Sequence, residues 1–190
     1  MGDATTGGDE PHWLDRDELG AWMALMQVLI ALPAKLDAQL RSDSRLRLYE
    51  YHVLAALSDQ PTRSIGMKAL SVVTNGSMSR LSHVVSRLED RGWVERRPHP
   101  TDGRLTEAHL TDEGHRTIAD AAPAHVESAR ALVIDRLTPQ QVSQLRDICQ
   151  TIATGLDDDM SDLVRRVVAP DGKRREVPTD GERRGRGGRR

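Results

Sequence analysis

A chain of 190 residues with three Trp, two Tyr and no Phe has room for one domain or a small pair, and its core has to come from Leu, Val, Ala, Ile and Met, which suits helices. No run approaches the ~20 apolar residues of a membrane span, the N-terminus lacks the parts of a signal peptide, and the lone Cys149 excludes an internal disulfide, so the expected setting is the cytoplasm with no membrane partner. The net charge of -2 hides a basic middle, since residues 63–105 carry eight basic and four acidic side chains between acidic flanks, and a basic tail follows.

Residues 1–12, rich in Gly and Asp, are expected to be disordered. From Leu14 to Leu40 the apolar residues recur at helical spacing, and Asp15, Asp17 and Glu18 sit in the first turns, where the helix dipole favours acids. Pro33 should kink or break this helix near residue 32, and "SDSR" should form a turn. A second helix carries Leu48, Tyr51, Leu54, Ala55 and Leu57 on one side. Ser64 is a candidate N-cap for a short helix over residues 65–73, with Leu70 and Val73 inward. "TNGS" marks a tight turn. Ser77 then caps a helix through Arg91, and Gly92 stops it. Its apolar stripe is Leu81, Val84, Val85 and Leu88. Its other side carries Ser79, Arg80, Ser82, His83, Ser86 and Arg87, most of them small or able to donate hydrogen bonds.

After Gly92 the period changes. "WVERR" and "TEAHLT" read as short strands around "RRPHPTDGRL", where Pro98, Pro100 and Gly103 exclude a helix. Thr111 caps the next helix, expected to run to about Leu137 with a bend at Pro123. "LTPQQ" starts the last helix, with Thr138 as N-cap, Pro139 in the first position and Gln141 completing a capping box. That helix holds Val142, Leu145, Ile148, Ile152, Leu156 and Leu163. Residues 169–190 are Gly- and Arg-rich and read as a disordered basic tail.

The expected fold is mainly α with a small β-hairpin wing. Two short helices, a tight turn and then a hairpin is the order of a winged helix-turn-helix, and its chemistry suits double-stranded DNA. The buried stripe holds the second helix to the domain while its outer face, N-terminus first, enters the major groove. Ser77 adds the free amides of a helix N-terminus. Arg80 can reach guanine O6 and N7, a bidentate contact worth ~1–3 kcal/mol of discrimination. His83 and Arg87 can read a base or hold a phosphate. At the hairpin tip Arg104 can enter a narrow minor groove. Asp102 would hold Arg104 or a nearby cation in place. Arg96 and Arg97 would take phosphates at the base of the wing.

At these residues the chain resembles the MarR family of bacterial transcriptional regulators. The matching pieces are "MKALSVVTNGSMSRLSHVVSRLEDRGWVER" and "PTDGRLTEAHLTDEG", and a weaker likeness extends from about Leu14 to Met160. The resemblance implies a MarR-like domain over residues 13–168, with the winged helix-turn-helix at about 47–111 and dimerisation helices at about 13–41 and 112–168. It implies a homodimer on a pseudo-palindromic operator, usually a repressor, released by a small ligand or by oxidation. Arg47 stands where the family often has Thr or Ser, which weakens the cap of the second helix.

The resemblance also puts an effector pocket between the dimer helices and the DNA-binding lobe, where Trp22, Met26, Tyr51 and His52 are candidates and a planar aromatic acid would suit. Cys149, among Leu145, Ile148 and Ile152, reads as a small buried hydrophobe rather than a sensor. The seven histidines are scattered, so no metal or other cofactor is expected. No nucleophile motif, phosphate loop or HExxH suggests an enzyme. The competing reading is a helical interaction or RNA-binding protein that works through its Gly/Arg tail.

Overall fold

The computed structural model describes residues 11–99 and 102–156. Pro100, Leu163, residues 1–10 and the basic tail, all of which carried expectations above, lie outside those residues.

Helix α1 spans Arg16–Ser44. Asp15 closes a capping box with Glu18, each carboxylate accepting a backbone N–H at the other residue, at 2.9 and 2.8 Å. The expected break at Pro33 does not occur, and the helix runs through it for 29 residues. Proline removes one hydrogen bond, and the packing of α1 against α5 and α2 supplies the missing support. The expected turn at "SDSR" starts late, because Ser42, Asp43 and Ser44 finish the helix and Arg45 ends it at φ 55°. A second correction concerns hydropathy. No charge interrupts residues 19–34, and an 18-residue window of α1 reaches a mean hydropathy of 1.6, long and apolar enough to cross a membrane.

Helix α2 covers Leu48–Ser58. Arg47 offers no side-chain acceptor at its N-cap, and acids supply the bonds instead. Asp37 of α1 accepts from Leu48 N at 2.9 Å, and Glu50 accepts from Arg47 N at 3.0 Å.

The next segment departs from expectation. Residues 64–66 form a strand, β1 (Ser64–Gly66), and helix α3 begins only at Met67–Val73, capped by Gly66 without a side-chain bond. Strand β1 pairs antiparallel with β3 (Thr106–Leu110), which also pairs with β2 (Val94–Pro98), so the hairpin is part of a three-stranded sheet in the order β1-β3-β2. Ile65 lies opposite Ala108, and both are buried. Pairing with a strand some forty residues away outweighed a local cap.

Between them, Ser77 caps α4 (Met78–Asp90) by accepting from Arg80 N at 3.2 Å, and Gly92 takes φ 72° beyond its end. Helix α5 is Asp112–Leu132, followed by a 3-10 turn at Ile134–Arg136, so it stops short of Leu137. Thr111 caps it, and Gly114 in its first turn is obligatory, since a Cβ there would stand 2.1 Å from the Trp93 carbonyl oxygen. Helix α6, Pro139–Leu156, starts at the expected Thr138–Gln141 box.

The core gathers Leu54, Leu57, Leu70, Leu81, Val85, Leu88, Val94 and Leu110 from α2, α3, α4 and the sheet, with Leu40 and Ile118 from the long helices. Each fully buried Leu contributes roughly 1.5–3 kcal/mol. No residue of α6 is buried, and Cys149 is exposed, contrary to expectation, because no apolar wall among the described residues surrounds it.

Candidate nucleic-acid interface

The stripe Leu81, Val84, Val85, Leu88 is buried, which fixes the rotation of α4 and turns the opposite side outward. Ser77, Ser79, Arg80, Ser82, His83, Ser86 and Arg87 are all exposed there.

All five of the expected DNA-contacting arginines have partners within the chain. The Arg80 guanidinium lies over the Tyr49 ring, 4.1 Å from its centroid. Tyr49 in turn shares a 2.9 Å hydrogen bond with Thr74 Oγ1 beneath the turn. A Cβ on Gly76 would fall 1.9 Å from the Tyr49 hydroxyl, so glycine at this turn answers close approach, while the positive φ of 48° belongs to Asn75.

Arg87 donates to Glu50 at 3.3 Å, and Arg91 reaches the same carboxylate at 3.6 Å. Glu50 is 1% exposed and also accepts the Arg47 N–H, so one buried carboxylate ties the start of α2 to the far end of α4. A buried charge of this kind holds only because its oxygens are satisfied.

Arg96, expected at a phosphate, folds from β2 onto α4. It donates to the Ser82 carbonyl at 2.9 Å, to the Ser82 and Ser86 hydroxyls at 3.3 and 3.2 Å, and pairs with Glu89. Arg97 pairs with Glu95 at 2.8 Å and stays half-exposed.

At the wing tip, Asp102 accepts from the Arg104 backbone N–H and Nε, both at 3.1 Å, and from Nη2 at 3.2 Å. Those bonds hold the Asp102 carboxyl below the usual carboxylate range. The Arg104 side chain remains 91% exposed, so its charge faces outward with its root fixed.

The four expected effector residues do not converge. Trp22 is half exposed on α1, and Met26 is half-buried. The Tyr51 ring rests against His125 of α5, with centroids 4.1 Å apart, and lies 6.3 Å from His52. Burial lowers the pKa of both His52 and His125 and raises that of Tyr51. An open cleft of about 1090 Å³ lies between α1, α2 and α4, and of the four only His52 lines it, together with Asp37, Arg41, Tyr49, His83 and Arg87.

The residues that sequence reasoning missed are Tyr49, Glu50, Asp37 and His125. Each acts through a partner at least 11 positions away, and local spacing carries no signal for such pairs.

Comparison with known proteins gives a consistent picture. The sequence profile of the MarR family matches residues 46–105. The chain is 28% identical over 107 residues to the transcriptional repressor MprA of Escherichia coli (strain K12), a match that takes in 56% of this chain and 60% of that protein. Against the HTH-type transcriptional repressor Mb2911 of Mycobacterium bovis the identity is 31% over 111 residues, 57% of this chain and 76% of the relative. Two solved MarR family regulators of Streptomyces coelicolor are similar in fold and sequence. Sco3205, crystallised in complex with DNA, has a TM-score of 0.76 and 39% identity, covering 82% of this chain and 98% of its own. AbsC has a TM-score of 0.73 and 33% identity, covering 77% and 98%.

Proposed function

The chain belongs to the MarR family, and on that footing we propose that it is a sequence-specific, double-stranded DNA-binding transcriptional regulator rather than an enzyme, working in the cytoplasm as a homodimeric repressor on a pseudo-palindromic operator. One observation carries the reading. Arg96 of the wing strand reaches Ser82 and Ser86 on the exposed side of α4, so the wing base and the donor-rich helix face adjoin on one side of the molecule. A duplex laid against that side meets both. Helix α4 enters the major groove N-terminus first, with Ser77, Ser79 and Arg80 leading and His83 behind. Stacked on Tyr49, the Arg80 fork is pre-organised for a guanine edge. Arg104, steadied by Asp102, enters the neighbouring minor groove, and Arg97 takes a phosphate. The relative crystallised on DNA, 39% identical over nearly its whole length, supports this use of the fold.

The homodimer rests on surface chemistry. Leu19, Trp22, Met23, Leu29 and Ile30 on α1 and Leu145, Ile148, Ile152 and Leu156 on α6 are exposed in the single chain. A second copy gives them a partner, and their density is high for a solvated face. Release by a small organic acid is part of the proposal: the cleft between α1, α2 and α4 offers Arg41 and His52 to a carboxylate, and its wall includes Arg80 and His83 of the exposed side of α4. The ligand needs only a higher affinity for the dimer whose α4 helices are wrongly spaced.

The test is fluorescence anisotropy on the DNA upstream of the chain's own gene. Specific binding that weakens steeply with salt, and that is lost in Arg80→Ala and Arg104→Ala, is the expected result. Equal binding to any duplex, requiring only residues 171–190, would refute it in favour of the tail.

A further inference from the structure

Arg96 was expected to hold a phosphate, and its surroundings argue for a different task. Glu89 takes both its backbone N–H, at 2.9 Å, and its guanidinium, so its charge is neutralised locally. What remains of the guanidinium is spent on two serines of α4. Ser86 Oγ receives N–H groups from both terminal nitrogens, each at 3.2 Å, and Ser82 Oγ receives one at 3.3 Å.

A serine hydroxyl has one proton to give and two lone pairs to receive with. In Ser86 both lone pairs face guanidinium N–H groups, whereas Ser82 Oγ receives only a shared branch, because the two hydrogens of Nη2 also serve the Ser82 carbonyl and Ser86. Neither hydroxyl donates a hydrogen bond within the described residues, so both protons are available on the exposed side of the helix. The two residues stand one turn apart, on one face.

Resting on the DNA-binding reading above, we propose that Arg96 is a specificity-determining positioning residue. By filling Ser86 with hydrogen bonds from behind, it converts an ambivalent hydroxyl into a donor, so that α4 selects at this position a base edge that only accepts, guanine O6 and N7 above all, while Ser82 keeps a lone pair and stays ambivalent. A hydroxyl with no lone pair left cannot accept a hydrogen bond from the amino group of cytosine or adenine. Arg96 thus shapes base choice without touching DNA.

The experiment is binding-site selection from randomised duplexes, followed by affinity and salt titration on the selected sites. The full-length wild type, Arg96→Ala, Arg96→Lys and Ser86→Ala are compared. Wild type is expected to prefer guanine over cytosine by about tenfold or more at the position under Ser86. In Arg96→Ala that preference falls to about threefold or less, while the slope of log affinity against log salt stays unchanged. Lysine cannot present a rigid two-pronged fork to the Ser86 hydroxyl and should not restore the preference. Ser86→Ala, a surface change that spares the Arg96–Glu89 pair, should lose the preference at that position.

A salt slope shallower by about 0.9 in Arg96→Ala, with base preference intact, would make Arg96 a phosphate contact and overturn the proposal. Preference intact in Ser86→Ala would overturn it as well, even if the Arg96 variants fail to fold. A wild type that selects no sequence at all would instead refute the DNA-binding reading on which the proposal rests.

Discussion

The unit built from α2, α3, α4 and the sheet differs sharply from the first half of α1 and the whole of α6. The former buries most of its Leu and Val side chains and ties its elements with carboxylate–arginine contacts centred on Glu50 and Glu89. The latter carries Trp22, Ile30, Ile148 and Leu156 on its surface and buries nothing. Both regions are apolar in sequence. The contrast teaches that apolar periodicity reports a face that wants covering, not what covers it. In one region the chain covers itself. In the other, by the reading given above, a second copy does.

The largest effect should separate the two regions directly. Leu88→Ala removes a fully buried side chain and should cost about 2–5 kcal/mol in urea unfolding, at any protein concentration. Ile148→Asp should act through association instead, halving the mass in sedimentation equilibrium and abolishing the dependence of Tm on concentration. A wild type that sediments as one chain would break the comparison.

Next is the internal strut. Glu50→Ala leaves Arg87 and Arg91 without their shared partner. Because both arginines are nearly half exposed, the cost should be about 1–3 kcal/mol rather than the full value of a buried pair. A double-mutant cycle with Arg87→Ala should be clearly non-additive, and strict additivity would remove Glu50 from its central place.

Asp37→Ala should cost about 1 kcal/mol, because Asp37 caps α2 across the chain in place of the side chain that Arg47 lacks. If Arg47→Thr rescues that loss, the cap is confirmed as the cause.

The smallest effect lies at the junction of α1, α2 and α5. Burial holds His52 and His125 below the ordinary histidine pKa, and for His125 the charge of His52 adds to it. Below about pH 6.5 the unfolded chain therefore binds more protons than the folded one, so stability is intact above that value and declines as pH falls through it. Thermal melts between pH 7.5 and 5.5 should show the decline, and His125→Gln should flatten it.

The winged helix-turn-helix was largely legible because its signals are local. Helix α4 announced itself by a serine cap, a 3.6-residue stripe and a glycine stop, all within one segment. The Thr138–Gln141 box and the Thr111 cap read equally well. Strand β1 was not legible: three residues beside a good N-cap look like a helix start until β3 is placed against them. The unbroken α1 was missed for a similar reason, since Pro33 weighs heavily in isolation and little on a helix packed against two others.

The serine face of α4, the wing turn and the division between basic middle and acidic flanks were set by residue order alone, because capping, periodicity and turn chemistry act over a few positions. Which arginines remain available to a duplex was decided only in three dimensions. Arg87 meets Glu50 across 37 residues, and Arg96 meets Ser82 across 14. Such pairings depend on how helices and strands are brought together, and the energy that brings them together is the burial of leucines and valines elsewhere in the chain.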